Sequence, residues 1–347
     1  MQKIILFSVF IVCFTIGCGK KSDTAQGGAD STKASSGTLT GAGSTFIEPI
    51  MTHWVDEYAK TTGVKVNYQG IGSGAGINNL IDHTVDFAGS DAPMNQSELD
   101  RAKTEVIHIP AVIGAVCVCY NVAGVSNGLK LDGGTIAKIF MEKIIFWDAP
   151  EIKTLNKGVN LPHEKIACVH RSDGSGTTAI FTNYLSKVSS DWNGKIGEGK
   201  SVNWSENALG GKGNAGVAGI LKEHANSIGY VELAYAEQNK ITYAYVKNSS
   251  GNFIAPSVES ASIAADGIEL PPTMTSWITD TPNPQGYPIT GFSWCIVYKD
   301  SPKAAEVKKF IQWITTEGQK DSKALYYAPL PENIRKMEAA VLAGTTK

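Results

Sequence analysis

Beyond residue 37 the chain alternates short apolar runs of strand character with segments of helical period. "VKVNYQGIG" gives way to "INNLIDHTV", and "KIACVHR" gives way to "TTAIFTNYLSKV". That alternation predicts an α/β architecture with sheet cores and helices packed on them. The clearest helix carries Ile47, Ile50, Met51, Trp54, Val55 and Tyr58 at i, i+3, i+4, i+7, i+8 and i+11, a continuous apolar face, and Thr61-Thr62-Gly63 stops it. A second break falls at "NPQGYPITGF", Asn283 to Phe292, ahead of a strand "SWCIVYK". With 347 residues there is material for two lobes of roughly 100 to 200 residues each, and no internal repeat stands out.

The N-terminus reads as an export signal over residues 1–17. Lys3 precedes the apolar run Ile4 to Phe14, which is too short for a membrane-spanning helix of about 20 residues. Thr15-Ile16-Gly17-Cys18 resembles the lipobox of bacterial lipoproteins, although Thr15 stands where leucine is usual, so Cys18 is the expected lipid attachment. Residues 18–37 are poor in large apolar side chains and read as a flexible tether. The expected location is the periplasm or outer face of the cell envelope. Export permits disulfides, yet Cys117, Cys119, Cys168 and Cys295 all sit in apolar strand-like runs, where a small buried thiol is the simpler expectation. Their spacing is no zinc signature, so neither metal nor cofactor is assigned. Lys+Arg 31 against Asp+Glu 33 leaves a net charge of -2 and no substantial basic block, so no nucleic-acid partner is expected.

Three stretches place Gly, Ser and Thr at expected helix entrances: "GAGSTF" (Gly41 to Phe46), "GIGSGAG" (Gly70 to Gly76) and "DGSGTT" (Asp173 to Thr178). Orphan N–H groups and the positive end of the helix dipole favour an anion there, while any single Ser or Thr is equally an N-cap. Arg171 ends the apolar run "IACVH" and is one of three arginines in the chain. Its planar fork suits two oxygens at once, and Asp173 beside it is either a structural ion-pair partner or an orienting group. A fourth stretch, "VDFAGSDAP", brings a carboxylate, Asp91, to the same company. A carboxylate suits an anion site only if the anion has a proton to donate. Phosphate near neutral pH has one and sulfate does not, and an unpaired buried acceptor discriminates by about 10⁴ to 10⁵.

These stretches, with "LGGKGN", "IGYVELAYA" and "WIT" further on, resemble in order and over nearly the whole mature chain the phosphate-binding component of bacterial Pst-type ABC transporters. The resemblance implies a two-lobed periplasmic-binding-protein fold of class II with the ligand in the interlobe cleft. It implies that Thr45, the Phe46 N–H, Ser73, Asp91, Arg171, the Ser175 and Thr177 hydroxyls and the Gly176 N–H bind inorganic phosphate. Asp173 matches the residue that pairs with the arginine. "GSGAG" stands where some relatives have "GSSGG", which removes any hydroxyl contact at position 74. The expected partners are phosphate, the permease subunits of an ABC importer and, through the lipid, a membrane; the chain is expected to be a monomer. Residues 38–114 and 290–347 are expected to form one lobe and 115–289 the other, with crossings near Gly114 to Val118 and Pro288 to Phe292.

Other motifs compete. Gly194 to Ser201 satisfies the P-loop pattern, but "SSDWN" before it is no buried strand and "VNWSENALGG" after it is no helix. "GIGSGA" matches a loose dinucleotide fingerprint without the acidic residue that completes it. Ser73 and Ser175 each lack the glycine two residues back that a G-x-S-x-G elbow requires, the six histidines are scattered, and strand alternation turns His170 away from Arg171. The expectation is therefore a binding protein and not an enzyme. Its alternatives are a module for another tetrahedral oxyanion, sulfate or molybdate, and a secreted phosphatase.

Overall fold

The computed structural model describes residues 38–344. The expected export signal, Cys18 and the tether lie outside the described residues. β1 (Leu39–Gly43), α1 (Glu48–Thr62), β2 (Val66–Gly70), α2 (Ser73–Ile81) and β3 (Phe87–Ser90) form a parallel, alternating start, and α3 (Gln96–Ala102) leads into the long β4 (Val106–Asn121). Then come β5 (Lys130–Leu131), α4 (Gly133–Phe140), α5 (Pro150–Leu155), β6 (Ala167–Arg171), α6 (Gly176–Val188), α7 (Ser190–Lys195), β7 (Leu209–Gly211), α8 (Gly213–Glu223), β8 (Ser227–Glu232) and α9 (Leu233–Asn239). β9 (Thr242–Tyr243), β10 (Tyr245–Lys247), β11 (Phe253–Ile254) and α10 (Val258–Ala264) precede β12 (Thr290–Tyr298), α11 (Ala304–Thr315) and α12 (Glu332–Leu342).

The main sheet runs β2-β1-β3-β12-β4-β8-β6-β7, with β9 also paired to β4. β4 joins its two halves. Over Val106 to Ala115 it pairs antiparallel with β12, and from Val116 to Asn121 it pairs antiparallel with β8, so one 16-residue strand serves two sets of neighbours. Burial is nearly complete along it, as a strand covered on both faces requires.

Local physics sets the boundaries. α1 buries Ile50, Met51, Trp54 and Tyr58, and Gly63 ends it in the left-handed region at φ 74°, its N–H donating to Ala59 O. Trp54, Trp147, Trp192 and Trp294 are fully buried, and each indole N–H reaches a carbonyl: Gly318, Asn226, Gly197 and Met274 respectively. The four cysteines among the described residues, Cys117, Cys119, Cys168 and Cys295, are buried free thiols.

Three sequence expectations need correcting. Ser44 and Thr45 do not open α1; Ile47 is its N-cap, with no side-chain cap and with Pro49 in the first turn, so the hydroxyls sit in a loop ahead of the helix. α2 begins at Ser73, inside the glycine-rich stretch, and ends at Ile81, short of the expected "DHTV". The break before the last long strand is shorter than expected, because Thr290, Gly291 and Phe292 already pair with Ala115, Gly114 and Ile113. Two prolines nearby mark the turn, but ladder pairing with β4 decides where the strand begins.

Candidate functional site

The four Gly- and hydroxyl-rich stretches meet at one place, around Asp91. This residue follows β3 and is 1% exposed. Ser44 Oγ donates to its carboxylate, 2.6 Å from Oδ1 and 2.7 Å from Oδ2, and Ser293 Oγ donates to Oδ1 at 2.8 Å. Ser73 Oγ lies 3.5 Å from Oδ2 and accepts from the Asp91 N–H at 3.3 Å. Burial pushes the Asp91 carboxyl up to about 6, against the opposing pull of the Ser44 and Ser293 hydroxyls, the Arg171 charge and Ser73. It therefore remains an anion near neutral pH, surrounded by donors.

Arg171 is the last residue of β6, with a side chain 1% exposed. Its Nε and Nη2 grip Asp173 Oδ1 and Oδ2 at 2.8 and 2.6 Å, and its Nη1 donates to Thr177 Oγ1 at 3.2 Å. Burial would raise the Asp173 carboxyl, but the Arg171 hydrogen bonds and charge and the Gly213 N–H bring it below the usual carboxylate range. The fork is thus fixed by its neighbour, and with the Thr177 bond also counted each terminal guanidinium nitrogen keeps one N–H to give.

α6 opens on this arginine. Ser175 is its N-cap and accepts from the Thr178 N–H at 3.0 Å, which leaves the Ser175 O–H to donate elsewhere. Gly176 is the first helical residue, so its N–H has no acceptor within the helix. A Cβ at Gly176 would stand 2.6 Å from both Asp91 Oδ2 and Ser73 Oγ, so glycine is what lets the backbone approach the carboxylate. Gly74 N–H donates to Gly174 O at 2.9 Å, which brings the second and third stretches into direct backbone contact.

Of the residues expected to bind, Ser73 bonds Asp91, Gly176 abuts both, Arg171 bonds Thr177, Ser175 caps the helix that carries Gly176 and Thr177, and Asn214 Nδ2 joins Thr45 to Thr177 by donating to both hydroxyl oxygens. The Phe46 N–H donates to Ser44 Oγ at 2.9 Å, so in this conformation it is spent within its own turn. Three participants escaped sequence reasoning: Ser44, Ser293 and Asn214. Ser44 lies inside "GAGSTF", yet nothing in that stretch says that it, and not Thr45, reaches Asp91. Ser293 is 202 residues away from Asp91 in sequence and arrives only because β12 lies beside β3, on a strand whose ladder with β4 shifts register at Ser293/Trp294.

The competing motifs resolve differently. Gly194 to Ser201 begins at the end of α7 and continues as loop, with no strand ahead of it and no helix until α8. Its Lys200 instead pairs with Glu98 of α3 at 2.7 Å, and the Lys200 carbonyl accepts from the Ser175 N–H at 2.8 Å. His170 bonds the Arg171 carbonyl and stacks on Trp204, away from the Asp91 cluster. Among the described residues there is no group of three metal-ligating side chains.

A family model for the PBP superfamily domain matches residues 28–317. The phosphate-binding protein PstS of Pasteurella multocida is 43% identical over 309 residues, covering 87% of this chain and 89% of that protein. Its counterpart in Xylella fastidiosa (strain Temecula1) is 39% identical over 360 residues, covering 98% of each. The chain belongs to the PstS family of phosphate-binding proteins. Solved structures agree on the two-lobed fold. A phosphate-binding protein from Stenotrophomonas maltophilia superposes with a TM-score of 0.63 at 19% identity, covering 89% of this chain and 94% of that one. An ABC-type phosphate transport receptor from Vibrio cholerae gives 0.57 at 19%, covering 84% and 100%.

Proposed function

We propose that this PstS-family chain binds inorganic phosphate with high affinity outside the cytoplasmic membrane and delivers it to an ABC phosphate importer. The observation that carries this reading is the buried Asp91 carboxylate set among hydroxyls, a helix N-terminus and one arginine. Donors alone suit any oxyanion. A buried acceptor among them suits an oxyanion that still holds a proton, which favours phosphate over sulfate and molybdate. The expected ligand set is Thr45, Phe46, Ser73, Asp91, Arg171, Ser175, Gly176 and Thr177, with Asp173 holding the arginine. No cleavage is proposed: the serines around Asp91 are donors to a carboxylate that already accepts several bonds, and the relatives of this chain are named as binding proteins.

Residues 38–114 with 290–347, and 115–289, are the proposed lobes. The change of β4 partner between Ala115 and Val116 supports that division. Closure of the two is the working step, and phosphate favours the closed form through the contacts it gains there. The proposed assembly is a monomer tethered by lipid at Cys18 that docks on the permease subunits. Calorimetric titration of ligand-stripped protein with orthophosphate, sulfate and molybdate tests the ligand. Phosphate alone is expected to bind tightly, and equal affinity for sulfate would defeat the role given to Asp91. Incubation with a chromogenic phosphate ester is expected to release no product.

A further inference from the structure

Asn214 sits in the first turn of α8, fully buried. Its side-chain amide has only one sensible orientation. Oδ1 accepts from the Glu232 backbone N–H at 3.0 Å, a group that can only donate, so Nδ2 faces the other way. There Nδ2 donates to Thr45 Oγ1 at 3.0 Å and to Thr177 Oγ1 at 3.1 Å. Each threonine oxygen also receives a second donor: Thr45 from the Asn214 backbone N–H at 3.1 Å, Thr177 from Arg171 Nη1 at 3.2 Å. A hydroxyl has two acceptor lone pairs and one proton. Both oxygens are therefore filled as acceptors, and each has only its O–H left to give.

We infer that Asn214 is a positioning residue that fixes the Thr45 and Thr177 hydroxyls as donors, so that these points of the cleft can give a hydrogen bond to a guest oxygen but cannot accept one from it. The inference rests on the phosphate reading and sharpens it. With both threonines restricted to donating, any proton on the guest is directed to Asp91. The Thr45 bonds join a loop of the first lobe to a helix of the second, 169 residues apart in sequence, so the restriction is complete only when the lobes are together.

Asn214→Asp keeps the shape but leaves a side chain that only accepts, which would draw both hydroxyl protons toward itself. In wild-type background, Thr45→Val is expected to weaken orthophosphate binding by about tenfold or more, the range for a hydrogen bond to a charged group. In Asn214→Asp background the same change is expected to weaken it less than about twofold, because the Thr45 proton already points away. Equal losses in both backgrounds would mean that Asn214→Asp acts by charge repulsion alone and would overturn the inference, as would wild-type affinity in Asn214→Asp. Melting curves check that each variant folds. Neutron diffraction from deuterated wild-type crystals, grown with and without orthophosphate, gives a reading that no variant can spoil. Deuterons on both threonine oxygens should point away from Asn214, and a deuteron on either line to Nδ2 refutes the idea. Failure of wild-type protein to bind orthophosphate would instead count against the phosphate reading, and the deuteron positions would still decide this one.

Discussion

Gly176 has no room for a methyl group. An added Cβ would stand 2.6 Å from Asp91 Oδ2 and Ser73 Oγ, two atoms held in place by their own hydrogen bonds. Gly176→Ala is therefore expected to reduce phosphate affinity by about 100-fold or more, on the order of 3 kcal/mol, comparable to severe overpacking. Its melting temperature without phosphate should stay close to wild type, because opening the cleft relieves the clash; titration and calorimetry together check this. Arg171→Ala removes charge-assisted hydrogen bonds and is expected to cost about 1.5 to 3 kcal/mol of binding or more, read by the same titration. Asp91 carries a pH signature. Its carboxyl is raised from 3.8 to about 6, chiefly by burial, so the stability it contributes is complete below about pH 4 and lost as pH rises through about 6. Ligand-free Asp91→Asn is thus expected to melt above wild type at pH 8 by up to about 3 kcal/mol of stability, and the gap should close in acid. For ligand choice, sulfate binding to wild type should be absent at pH 8 and emerge as pH falls through about 6, where a protonated Asp91 becomes a donor. Sulfate titrations at pH 5 and pH 8 that look alike would contradict this.

At the scale of elements, the P-loop-like segment has a different use. Lys200 bonds Glu98 across the proposed cleft, with both side chains mostly shielded at 14% and 12% exposed, and its carbonyl holds the Ser175 N–H at the head of α6. A shielded pair of this kind resists salt better than a surface one. Glu98→Gln retains the capping interaction with the Asn95 N–H, since glutamine also serves a capping box. Its expected effect is faster phosphate release, by about threefold to tenfold, with little change in association rate. Stopped-flow dissociation measures it, and Lys200→Met should match it without adding to it. The elements were largely legible beforehand: the 3.6 period of α1 and the strand-to-helix alternation are local signals that packing reinforces. Less legible were the starts. Ser44 and Thr45 looked like the beginning of a helix because capping residues and loop residues share a composition; Pro49, with no cap before it, shows where the helix truly begins. The ligand stretches could be found because each is a short contiguous run. Ser293 and Asn214 could not, because their roles come from sheet register and from a single amide turned by Glu232, neither of which leaves a local pattern.

For the whole molecule, mass action links binding to unfolding. Phosphate at 100 times its Kd should stabilise the protein by about 2.7 kcal/mol, and sulfate at the same concentration should not at pH 8; a thermal melt with each anion checks it. The proposed division into lobes, with crossings near Gly114 to Val118 and Pro288 to Phe292, meets a structural fact: the strand that would link the halves is not a linker. β4 lends the stretch Val106 to Ala115 to the β12 ladder and Val116 to Asn121 to the β8 ladder, without a break in the chain. Melting either half strips backbone partners from a strand on which the other half is built. The two proposed lobes should therefore come undone together, as one calorimetric peak, and neither is expected to survive being expressed without its sibling.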